Sequence, residues 1–106
     1  MLELIGEFVS MLEQFAARVE VELVRDPPVV AAYAHSGLVF AAGWMAEDGL
    51  AIRVRLDASA TDMETLEHVE GGTLSHEAVV QTSEQLAALE NILRRSERLA
   101  AGTQSN

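Results

Sequence analysis

Cysteine and lysine are both missing from this 106-residue sequence, and each absence removes whole classes of chemistry. Without cysteine there is no disulfide, no thiolate-held zinc or iron–sulfur centre and no cysteine nucleophile. A reducing, cytoplasmic setting suits such a chain. Without lysine, all seven cationic side chains are arginines, set against seventeen acids for a formal net charge of -10. A surface of that sign repels phosphate backbones, so no nucleic-acid partner is expected. No membrane is expected either. No apolar run approaches the roughly 18 residues of a helical span, and Met1-Leu2-Glu3-Leu4-Ile5-Gly6-Glu7 carries acid where a signal peptide carries base.

The hydrophobic fraction of 49% and the charged fraction of 23% are those of a globular domain. A chain of this length buries roughly two thirds of its unfolded surface, enough for one two-layer core. We expect a single domain over residues 1–101 and a disordered tail over 102–106.

The hydrophobic pattern organises itself around Gly37 to Asp57. Leu50 to Asp57 alternates apolar and polar side chains with period two, as a strand with one wet face does. Leu38 to Met45 is apolar on both parities, which predicts an inner strand. Glu47-Asp48-Gly49 between them predicts a hairpin turn, with Gly49 free to take positive φ. Upstream, Leu2, Ile5, Phe8, Val9, Leu12, Phe15 and Ala16 recur at helical spacing and predict an amphipathic helix to about Arg18. Val19 to Val24 then alternates as a strand, stopped by Arg25-Asp26-Pro27-Pro28. Val29 to Ala34 predicts the next strand, and His35-Ser36-Gly37 a turn. Short connections of this kind favour antiparallel neighbours.

Beyond Asp57, Thr61 and Glu64 have capping-box spacing, which predicts a short helix to about Glu70, ended by Gly71-Gly72. Ser75 to Gln81 reads as a short edge strand. Thr82 and Gln85 again have capping-box spacing, opening one helix from Ser83 to about Ala101 with Glu90 and Arg94 paired across one turn. The fold class predicted is α+β: an antiparallel four- to five-stranded sheet with N- and C-terminal helices packed mainly on one face.

A leading helix, the strand Val19-Glu20-Val21-Glu22, a meander bearing Tyr33 and Phe40, and His76-Glu77-Ala78-Val79-Val80 before a final helix form a pattern with a known likeness. It resembles small bacterial α+β domains of unknown function, distantly similar to the YjbR/MmcQ-like proteins. The likeness spans roughly Leu4 to Leu99. His76 matches a histidine at the start of the last strand in that group, and Phe40 an aromatic that begins the third. The resemblance implies an α+β fold and a loosely described DNA-binding role, with no established activity, substrate or cofactor. The lack of lysine departs from the basic strands of such domains.

Chemistry is sparse. His35-Ser36 and Ser75-His76-Glu77 contain triad residue types, but adjacent strand residues point to opposite faces and no Gly-x-Ser-x-Gly elbow accompanies them. Gly71-Gly72-Thr73 lacks the longer frame and lysine of a phosphate loop, so no cofactor is expected. Glu64 and His68, four apart on the predicted helix, are the candidate metal ligands, without the spacing of a zinc site. Arg53 and Arg55 share a strand face and could receive a small anion.

The stretch from Leu38 to Met45 carries the strongest signal. Leu38, Phe40, Ala42 and Trp44 are apolar on what alternation makes one face, and helices on the other face leave that one uncovered. Contiguous apolar surface with a tryptophan marks an interface. We therefore expect a non-enzymatic interaction domain that forms a homodimer through Leu38, Phe40 and Trp44. The alternative is a binder of small anionic or amphipathic molecules, or a weak enzyme, with Tyr33, Phe40, Trp44, Arg53, Arg55 and His76 around one cleft.

Overall fold

A computed structural model describes residues 2–22, 28–55, 67, 68, 74 and 76–103 of the chain. Helix α1 (Leu2–Glu13) leads into strands β1 (Arg18–Glu22), β2 (Val29–Tyr33), β3 (Val39–Ala46) and β4 (Gly49–Val54). A two-residue strand β5 (Glu67–His68) and strand β6 (His76–Val80) follow. Helices α2 (Ser83–Ala88) and α3 (Glu90–Thr103) close the chain. The sheet order is β1-β2-β3-β4-β6-β5 and every neighbouring pair is antiparallel. The fold is thus the α+β architecture expected: a five-stranded antiparallel sheet, with β5 as a two-residue extension, and helices from both ends of the chain packed against it.

One core joins the layers. Leu4, Phe8 and Leu12 of α1 and Leu86, Leu89, Leu93 and Ala100 of the C-terminal helices pack on Val30, Ala32, Ile52, Val54, Ala78 and Val80 of the sheet. Phe8 seats where β3 has no side chain: a Cβ on Gly43 would lie 2.6 Å from the Phe8 ring. The predicted hairpin turn is present, with Glu47-Asp48 between Ala46 and Gly49, which face each other across the strands. Gly49 has φ 142°, and a Cβ there would meet the Val80 carbonyl oxygen at 2.5 Å. The preceding turn uses Gly37 at φ 89°.

Four boundaries differ from the sequence expectation. Helix α1 stops at Glu13 because the amides of Phe15 and Ala16 both turn back to the Leu12 carbonyl, tightening the last turn so that Arg18 can open β1. The long C-terminal helix divides at Leu89, whose amide donates to the Leu86 carbonyl at 3.0 Å. That tight turn lets α2 face α1 and β6 while α3 lies over β3 and β4. Helix α3 runs through Thr103, beyond the expected end at about Ala101. Glu67 and His68 are strand rather than helix, held opposite Glu77 and His76; long-range pairing overrides a weak local helix signal. Strand β6 accordingly has neighbours on both sides over His76 and Glu77. The Thr61–Glu64 capping box, Asp57, the Gly71-Gly72 cap, Ser75 and most of the Arg25–Pro28 turn lie outside the described residues.

The feature with most consequence is in β3. Ala32 faces Ala41, but Tyr33 faces Val39, so Phe40 is an extra residue without a partner on β2. Phe40 and Ala41 are adjacent yet both fully buried. The bulge is held from the helix layer by Ser96, the one polar side chain of the described core. Its hydroxyl donates to the Phe40 carbonyl at 2.6 Å and accepts the Arg55 amide at 2.8 Å. Ser96→Ala removes both bonds in a site closed to water, and should cost roughly 1–3 kcal/mol. Urea unfolding should show a lower midpoint with an unchanged slope.

Candidate functional site

The bulge redistributes the stretch from Leu38 to Met45. Leu38 and Phe40 turn to the helices: Leu38 packs on the core, and the Phe40 ring lies 5.8 Å from that of Phe15. After the extra residue the alternation resumes in the opposite phase. Ala41, Gly43 and Met45 face the helices, while Ala42 and Trp44 face away. The expectation that Leu38, Phe40 and Trp44 share one uncovered face is therefore corrected. Phe40 is 0% exposed and cannot anchor a partner; Trp44 remains available.

The registers define the face opposite the helices. One row across the sheet reads Glu22, Val29, Trp44, Ala51, Val79; the next reads Glu20, Ala31, Ala42, Arg53, Glu77; a third begins Arg18, Tyr33, Val39. Directly opposed residues in an antiparallel pair point to the same side, so each row lies on one surface. On that surface Ala51 is 3% exposed and Val79 44% exposed. Among the described residues no helix packs on this face.

Its charges come with rings. The Arg53 guanidinium donates to Glu77 Oε1 at 2.8 Å and lies 5.2 Å from the centre of the Trp44 ring. Arg18 bridges to Glu20 at 3.1 Å and lies 4.3 Å over Tyr33. Arg53 is thus not a vacant anion receptor; it is engaged on both its edge and its face.

The proposed cleft residues are not brought together. Tyr33, Trp44 and Arg53 share the open face. His76 faces Val54, a core residue, and so lies on the helix side of β6. Phe40 is in the core. Arg55 follows the end of β4, and its Nη2 donates to the Val39 carbonyl at 3.4 Å. Its Nε is buried with no hydrogen-bond partner among the described residues. Of the metal candidates, Glu64 lies outside the described residues and His68 stands in β5, so the helical i,i+4 placement does not apply to it. Among the described residues no group of three or more His, Asp or Glu side chains is arranged to hold a metal. No described helix is long and apolar enough to cross a membrane.

Two residues that matter were not singled out by sequence reading. Ser96 had a signal: it is the one polar residue in the buried series Leu89, Leu93, Ser96, Ala100. Arg18 had none, because its place over Tyr33 depends on the β1–β2 register. No family model, no curated protein and no solved structure matches the chain.

Trp44 is the only tryptophan, so its fluorescence reports this face alone. Arg53→Ala uncovers the indole and should move its emission to longer wavelength while costing about 1 kcal/mol of stability. Unchanged emission would show that the guanidinium does not shield the ring.

Proposed function

We propose that the chain is a non-enzymatic interaction domain that self-associates through the open face of its sheet, with Trp44 at the centre of the contact. The supporting observation is the row Val29, Trp44, Ala51, Val79, which is apolar across four strands and uncovered by any described helix. A sheet with one face on the core normally presents polar side chains on the other. Here the polar groups stand beside the apolar row, as Arg53–Glu77 and Arg18–Glu20, in the arrangement of an apolar centre with a charged rim. Both signs are present in that rim, so a second copy meets complementary charge when it packs about a twofold axis.

The acidic balance argues against a nucleic-acid partner, and the cysteine-free composition favours a cytoplasmic setting. Dispersal of Arg53, Phe40 and His76 over different surfaces disfavours the small-molecule reading. Sedimentation at tens of micromolar tests the proposal: wild type should be larger than a monomer, and Trp44→Glu should halve the mass of that species with the circular dichroism unchanged. A monomeric wild type overturns the reading, and an assembly indifferent to Trp44→Glu excludes this face.

A further inference from the structure

The sheet has a second feature that points to another copy of the chain, independent of the open face. Strand β1 is an edge strand. It pairs with β2 on one side and has no described neighbour on the other, whereas β6 at the far end is partly covered by β5. All of β1 except Val19 is exposed, and Val21, on the helix side by its register with Val30, is 47% exposed. Unpaired edges invite another strand, and natural sheets commonly guard them with charge. The charges on β1 are not a single-sign guard. Arg18 and Glu20 alternate on one face and already attract each other along the strand at 3.1 Å.

We infer that two copies join edge to edge by antiparallel pairing of β1, in the register that sets Arg18 of each chain opposite Glu20 of the other. That register centres on Val19. It turns Arg18 and Glu20 of the two strands into a four-charge checkerboard, in which each has the opposite sign beside it along its own strand and opposite it across the pair. It places the exposed Val21 beside Ala17 of the second copy, and Glu22 opposite Ala16, so no acid faces an acid. The neighbouring registers that keep both open faces on one side are worse. Centring on Glu20 stacks that carboxylate on its twin, and centring on Val21 sets Glu20 against Glu22. Directly opposed like charges destabilise a sheet and opposite charges stabilise it. The self-complementary pattern therefore selects one partner, the same chain, and one alignment.

Edge pairing leaves both Trp44 faces on the same side of a doubled sheet. If the open-face contact also holds, two such pairs stack into a closed assembly with three perpendicular twofold axes. The edge contact does not depend on it.

The test is sedimentation of the Trp44→Glu chain, in which the face contact is absent. A dimer is expected at tens of micromolar; a monomer overturns the edge contact and leaves the face contact standing. Adding either Arg18→Glu or Glu20→Arg should abolish that dimer. Combining Arg18→Glu with Glu20→Arg restores the checkerboard with signs exchanged and should restore the dimer, while the doubly changed chain should not form mixed dimers with one that keeps Arg18 and Glu20. An unchanged mass in the single variants, or a monomer in the combined variant, overturns the inference.

Discussion

The hydroxyl of Ser96 fixes which residues this molecule hides and which it shows. It reaches from α3 to the sheet and meets the two backbone groups exposed where β3 takes in an extra residue. A bulge interrupts the ladder, and a carbonyl or amide left unmet in a dry core costs more than an ordinary hydrogen bond gains. The Arg55 amide supplies a further bond to the Phe40 carbonyl at 3.2 Å, so the irregularity is closed on itself. With those groups satisfied, Phe40 can point into the helix layer, and Trp44 is left on the other side.

The glycines act on the same division of faces from the opposite direction. Gly43 removes a side chain where Phe8 must approach the backbone, so α1 comes close to β3. Gly49 does the same where the turn meets the end of β6. The bulk of Phe8 is thus matched by the side chain missing at Gly43, while the strands supply Phe40, Leu50 and Ile52 to the same core. Helix α3 lies over β3 and β4 at the centre of the sheet, and Val21 of the edge strand β1 stays 47% exposed.

Much of this was legible in the sequence wherever the signal was local. The Thr82 cap, whose oxygen accepts the Gln85 amide at 3.1 Å, follows from three-residue spacing alone, and so does the Glu90–Arg94 pair at 3.0 Å. The β3–β4 hairpin follows from a turn between two patterned runs. The bulge left no such trace, because a strand apolar on both parities reads the same in either phase. A single extra residue reverses every side chain after it, so Trp44 lies on the face opposite the helices while Phe40 points into the core. Strand β5 was illegible for a different reason. Two residues carry no periodicity, and only their partners Glu77 and His76 define them.

The absence of lysine acquires a meaning in the folded chain. Three arginines recur in one arrangement: Arg18 with Glu20 and Tyr33, Arg53 with Glu77 and Trp44, Arg94 with Glu90 and Phe15. Each guanidinium lies near the face of a ring and has its Nε within ion-pair distance of a carboxylate. A planar cation can do both at once, because its donors lie in the plane and its faces are free to stack. An ammonium is a compact point charge whose donors have no plane, and it cannot hold a ring and a carboxylate in perpendicular directions with comparable geometry. In a protein with far more acids than bases, each cation used this way settles an aromatic and a carboxylate together. For Arg18 that arrangement stands on the sheet's outermost strand, where the same geometry that orders the chain's own Glu20 leaves the charge pattern open to a copy of itself.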